Sequence, residues 1–230
     1  MGQKISVDFF RARKRLSKIS NNSGSPSELQ RSVWFASGIS YAKLLKQDLA
    51  IRKFIQAEIK NAGLVEIIIR RYFRKVEVVL FVTKPGMVIG KSGAIINTLR
   101  EDLVTKFELP KDIKLDIMEF RNPLGSAQVI ADEISESIKK GFPYRRVAKG
   151  YIEKLKFGGT LGVKIQIKGR LNGADIARKE DFAHGSVPRH TIDSDIDYSL
   201  VHCQTRTGII GVKVWLYKGD KLKNYSKENN

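Results

Sequence analysis

Residues 85–93 read PGMVIGKSG and follow the apolar run VEVVLFV at 76–82. Three glycines, a lysine and a serine in such a setting can cradle a phosphate. Glycine lets backbone N–H groups approach an anion closely, and lysine adds a mobile cation. The phosphate could belong to a nucleotide held for chemistry or to a nucleic-acid backbone held for binding. A nucleotide loop needs the spacing G-x-x-x-x-G-K-[ST], which lets the backbone encircle the phosphates. Here Gly86 and Gly90 are separated by three residues, one too few. Asp116 lies inside its apolar run rather than at the end, where a metal-holding aspartate would stand. The alternative is the G-x-x-G loop Gly90-Lys91-Ser92-Gly93, with the following helix offering N–H groups and the positive end of its dipole to a sugar-phosphate backbone.

A second candidate is YRRVAKGYIEKLK at 144–156. At about 100° per residue, Arg145, Arg146, Lys149 and Lys156 fall within an arc of roughly 100°. Val147, Ala148, Tyr151, Ile152 and Leu155 occupy much of the other side. The expected helix packs one face and turns a cationic ridge outward. Only Glu153 offers a counter-charge on that arc, so phosphates are the expected partners.

The whole chain agrees with these two stretches. It has 42 Lys and Arg against 24 Asp and Glu, a formal net charge of +18. Hydrophobic residues make up 42 %, enough for a buried core. A polyanion is the simplest compensation for such a charge, with an anionic membrane surface as the weaker alternative. No apolar run approaches the roughly 20 residues that span a bilayer. The single Cys203 excludes a disulfide framework within the chain and suits a reducing compartment. It is expected to be a small core residue, on the opposite strand face from His202. His184, His190, His202 and Cys203 fit no structural zinc spacing. Asp193, Asp195 and Asp197 alternate like the start of a calcium loop, but the glycine and glutamate that complete one are missing, so pairing with arginine is expected. No nucleophile, base and orienting acid can be assembled.

The elements that must position these groups follow from periodicity. Leu44, Ile51, Ile55 and Ile59 form one stripe of a helix over 41–60, which Gly63 is placed to end. Runs 64–70 and 76–83 read as strands, joined by the charged hairpin end RYFRK. Ile96, Leu99, Leu103 and Phe107 recur at helical spacing after the glycine loop, Pro110 closes that region, and 113–120 reads as a strand. RNPLGS at 121–126 breaks the pattern and marks the domain boundary. A helix over 127–140 carries Ile130, Ile134 and Ile138 on one face, and Gly141-Phe142-Pro143 separates it from the basic helix. The remainder is β-rich, with alternation at 162–169 and 209–217. Trp34 and Trp215 read as core or interface anchors. The polar stretch SNNSGSPS at 20–27 reads as a loop and the last residues as a frayed tail.

These residues carry a resemblance. KPGMVIGKSG, in this order of elements, resembles the loop of a type II KH domain, a module that clamps single-stranded nucleic acid. More specifically it resembles that of the bacterial-type small-subunit ribosomal protein three family. MGQK at the start, YAKLLKQDLAIRKFI at 41–55, GRLNGADIAR at 169–178, VPRHTIDSDIDY at 187–198 and GIIGVKVWLYKGD at 208–220 resemble the same family, whereas ISVDFFRARKR after MGQK departs from it.

The resemblance implies an α+β protein. A basic arm and loop at 1–40 precede a type II KH domain at 41–120, a three-stranded mixed sheet with helices on one face. A C-terminal α+β domain with its own sheet follows at 121–230. The implied function is that of a structural constituent of the small ribosomal subunit, not an enzyme and without cofactor or metal. It would bind ribosomal RNA in the subunit head, and the loop Gly90, Lys91, Ser92 and Gly93 would be an RNA contact, to ribosomal RNA or to messenger. Arg145, Arg146 and Lys149 match positions that line the messenger RNA entrance channel and help unwind messenger, and Lys156 joins them on the wheel. Gly150 stands where another basic residue often occurs. Lys4, Lys164, Lys168, Arg170 and Arg178 are further expected RNA contacts. Implied partners are head proteins ten and fourteen, with proteins four and five around the channel. The implied location is the ribosome of the bacterial cytoplasm, with an organellar ribosome as the alternative.

Overall fold

A computed structural model describes residues 32–59, 62–72, 75–107, 109–110 and 112–220, together with Val7 and Phe10. The basic arm with Lys4, the 20–27 loop, Lys60 and the frayed tail lie outside the described residues. The described chain forms two compact units that divide between Arg121 and Asn122.

The first unit runs β1 (Ser32–Val33), α1 (Ile39–Glu58), β2 (Leu64–Arg71), β3 (Val76–Val82), α2 (Pro85–Ile89), α3 (Ala94–Phe107) and β4 (Ile113–Glu119). The sheet order is β1-β2-β3-β4. Strands β2 and β3 are antiparallel, while β3 and β4 are parallel. These three long strands are the expected mixed sheet. Strand residues alternate faces. Ile67 and Ile69 of β2, Val78 and Leu80 of β3, and Ile113 and Leu115 of β4 all point to one face. There they meet Ile51 and Ile55 of α1 and Leu99 and Leu103 of α3, so the helices cover a single face.

Two details differ from the expectation. The two-residue β1 adds a fourth, parallel strand against β2, inside the segment read as loop. It is pinned by tertiary contacts: Ser32 and Trp34 both donate to the Asp48 carboxylate on α1, at 3.4 and 2.7 Å. Helix α1 ends at Glu58, five residues short of Gly63. Gly63 instead turns the chain into β2 at φ +66°, where a Cβ would lie 2.1 Å from the Thr83 hydroxyl.

The second unit runs α4 (Ala127–Lys139), α5 (Tyr144–Phe157), β5 (Gly162–Gly169), β6 (Arg178–Gly185), β7 (Ser194–Thr205) and β8 (Gly208–Asp220). Its sheet is antiparallel in the order β6-β5-β8-β7. Ile165 and Ile167 of β5, Val212, Val214 and Leu216 of β8, and Cys203 of β7 pack against Ile130, Ile134 and Ile138 of α4 and Ala148 and Leu155 of α5. Cys203 is fully buried and its thiol donates to the Ser135 carbonyl, while His202 faces solvent. Asp197 takes a lysine, Lys218 at 3.4 Å, rather than the expected arginine. It also accepts the Ala127 N–H at 3.0 Å, so the start of α4 is capped from β7, seventy residues away.

Candidate nucleic-acid interface

The glycine loop sits between two helices of the first unit. Helix α2 closes at Gly90, whose N–H donates to the Gly86 carbonyl at 3.1 Å. Lys91–Gly93 form a single 3-10 turn that leads directly into α3. Gly90 has φ +72° and Gly93 φ +78°, values that L side chains rarely adopt. At Gly90 a Cβ would also lie 2.6 Å from Ile95. Both glycines are therefore required by the turn itself, before any ligand is considered. Val88, 2 % exposed, anchors the turn in the core. Lys91 is exposed, and Met87 and Ile95, four residues before and after it in the chain, are half-exposed. A loop that offers both a cation and open apolar side chains suits a phosphate with its sugar or base.

The nucleotide reading finds no support in this geometry. The groove beside the loop, about 240 Å³, includes Glu58 and Asp102 in its lining and no lysine or arginine. An anionic nucleotide would meet two carboxylates there.

In the second unit α5 buries Tyr144, Ala148 and Leu155 and leaves Arg146, Lys149 and Lys156 exposed. The wheel placed these faces correctly, and Lys154 and Lys156 also suit the helix C-terminus electrostatically. Arg145 needs a correction. It has a counter-charge that sequence reasoning missed, Glu180 on β6. Arg145 Nε donates to Glu180 Oε2 at 3.0 Å and Nη2 to Oε1 at 2.6 Å. The Tyr144 hydroxyl also donates to Oε1, at 2.8 Å. The hydrogen bonds from Arg145 and Tyr144 hold the Glu180 carboxyl below its ordinary range, and those to Glu180 and Tyr144 raise the Arg145 guanidinium above its own. Glu180 lies 35 residues away on a strand without a clear alternating pattern, so no local signal could have found it.

The remaining predicted contacts divide by their partners. Lys164 is largely covered and pairs with Asp181 at 3.0 Å. Arg170 staples its own turn, donating to the carbonyls of Ala174 at 3.0 Å and Thr207 at 3.2 Å and pairing with Asp175. Lys168 and Arg178 are exposed. No helix among the described residues is long and apolar enough to cross a membrane.

Comparison with known proteins assigns both units. Residues 50–124 match the KH domain family, and residues 134–216 match the family described as Ribosomal protein S3, C-terminal domain. The chain is 41 % identical over 193 residues to the small ribosomal subunit protein uS3 of Ruegeria pomeroyi, covering 84 % of this chain and 81 % of the relative. It is 39 % identical over 198 residues to uS3 of Persephonella marina, covering 86 % and 87 %. Against the small ribosomal subunit protein uS3c of Porphyra purpurea it is 40 % identical over 196 residues, with 85 % of each chain covered. With a KH unit carrying its glycine loop, a second unit carrying a cationic helix, and this identity across most of both chains, the protein belongs to the uS3 family of small ribosomal subunit proteins, a structural and non-enzymatic family.

Proposed function

We propose that this chain binds ribosomal RNA in the head of the small subunit and that α5 lines the path by which messenger RNA enters. The observation that carries the messenger role is the exposed face of α5. Arg146, Lys149 and Lys156 project from it, and among the described residues none of them is paired with an acid of the chain. Exposed cations in a row repel one another unless phosphates neutralise them. Their action on messenger is electrostatic: they hold separated strands by the phosphates while the ribosome supplies movement. The KH loop, with Lys91 at its tip, is the expected RNA clamp of the first unit, and Lys168 and Arg178 are exposed cations of the second. By family resemblance, proteins ten and fourteen are its neighbours in the head, and proteins four and five share the channel.

The test is Arg146→Ala combined with Lys149→Ala in purified ribosomes. Both side chains are exposed, so subunit assembly should be nearly unchanged. Elongation through a stable messenger hairpin should slow, while elongation on unstructured messenger should not. Equal rates through the hairpin in variant and wild type would remove α5 from the messenger path.

A further inference from the structure

A recess of about 400 Å³ lies beside the start of α5. It is bounded by Tyr144 and Arg145, by the turn Leu171–Gly173, and by Arg178 at the start of β6. We propose that this recess is a phosphate subsite, taking one nucleotide unit of a single RNA strand whose neighbouring phosphates lie on Arg146 and Lys149. The inference rests on the assignment of α5 to RNA and extends it to a defined site.

Four observations carry it. Register comes first: Arg178 pairs opposite Gly169 and Glu180 opposite Ile167, so both share the β6 face that carries the Ile167 side chain toward the helices. An arginine from β6 and an arginine from α5 thereby converge on one recess. Second, Arg145 is held rather than consumed. A guanidinium has five N–H donors in a fixed fork. Glu180 and Tyr144 engage Nε and Nη2, and no contact with them involves Nη1. Glu180 thus acts as a positioning residue that fixes the fork while leaving donors for an anion.

The third observation is rigidity. Tyr144 is 7 % exposed and Leu171 3 %, so the floor is part of the core. The Arg170 hydrogen bonds to the Ala174 and Thr207 carbonyls tie down the opposite wall. Fourth, charge and size select the ligand. Two arginines face one carboxylate, a net positive site, and planar forks match phosphate oxygens in pairs. The volume lies near the lower end of ligand pockets, roughly 300–1,000 Å³, which admits a nucleotide unit but not a helix. Arg146 adjoins Arg145 in sequence and Lys149 lies one helical turn on, so a strand leaving the recess meets further cations.

The experiment is binding of the full chain to a mixed-sequence single-stranded oligoribonucleotide across a salt series. Wild type is compared with Arg178→Ala, Arg178→Lys and Arg146→Ala, each checked for folding by circular dichroism. Arg178→Ala should weaken binding about five- to tenfold and lower the salt slope by about 0.7, the loss of one phosphate on a single strand. Arg178→Lys should restore the slope but only part of the affinity, because lysine keeps the charge without the fork. If Arg146→Ala weakens binding while Arg178→Ala binds as wild type, the recess is not a subsite although α5 still binds RNA. If both variants bind as wild type, the assignment of α5 to RNA fails and the recess with it.

Discussion

Arg145 of α5 grips Glu180 of β6 through two hydrogen bonds to the two different carboxylate oxygens, at 3.0 and 2.6 Å. This pair joins the cationic helix to the edge strand of its own sheet. It also divides the ridge into one arginine paired with an acid and three cations that, among the described residues, have no acid partner, which a helical wheel alone treats as equivalent.

The pair sets a pH dependence. The Glu180 carboxyl is lowered from an ordinary 4.5 by the hydrogen bond from Arg145 and then by that from Tyr144. A carboxylate with a depressed folded pKa adds stability that is complete above its unfolded pKa and lost as pH falls through the folded one. Arg145 stays protonated throughout. Glu180→Gln should therefore be less stable than wild type at neutral pH. The gap should close as pH drops below about 4.5, the ordinary value from which this group is lowered. Urea midpoints of both proteins across this range would measure it, and a gap independent of pH would show that the charge of Glu180 contributes nothing.

Asp48 is expected to be the most sensitive polar position of the first unit. It is 1 % exposed and accepts from Arg71, Trp34 and Ser32. Asp48→Ala removes the partner of a nearly buried guanidinium and should destabilise the chain by about 3 kcal/mol. Chemical denaturation would read this, and a loss within measurement error would mean that water replaces the carboxylate without penalty.

Gly86 within α2 and Gly90 at its close should respond in opposite ways. Gly90→Ala places a Cβ 2.6 Å from Ile95 at φ +72°. The Gly90 backbone, at positive φ with ψ −175°, is in a region open essentially to glycine alone, and holding another residue there costs roughly 1–3 kcal/mol. Gly86 has open space around its Cβ position, so Gly86→Ala should be neutral or stabilising by about 0.5 kcal/mol. Thermal unfolding of the two variants side by side would separate the requirement of the turn from the general effect of adding a methyl group.

Lys91 offers the cleanest probe of the loop, because its side chain is exposed and the turn does not depend on it. Lys91→Ala should leave stability unchanged within about 0.5 kcal/mol. It should weaken single-stranded RNA binding nearly uniformly across sequences and lower the salt slope by about 0.7. Unchanged affinity would make the loop a structural turn.

Much of this protein was legible in order along the chain because the relevant physics is local. The stripe Ile51, Ile55 and Ile59, the alternation at 162–169, the burial of Cys203 opposite His202, and the outward arc of Arg146, Lys149 and Lys156 all follow from backbone period and solvent preference. The loop Gly90-Lys91-Ser92-Gly93 was legible for the same reason: glycine at positive φ leaves its mark as glycine. Two strands were harder to resolve. RKEDFAHG of β6 is an edge strand with polar residues on both faces. In β7 Asp197 and Ser199 occupy the helix-facing side, because the start of α4 needs the Asp197 acceptor and Gln128 takes the Ser199 hydroxyl.

By itself the sequence determined the two α+β units, the cationic character of the chain and the face that α5 turns to solvent, since each depends on charge or on repeat distance. Only the tertiary structure decided how the charges are used. It clamped Arg145 with a glutamate 35 residues away, turned Arg170 inward on its own loop, covered Lys164 with Asp181, and left Arg146, Lys149 and Arg178 exposed. The physical reason is that an ion pair depends on distance in space. Strand register and helix docking set that distance, and neither is encoded within a single turn or strand.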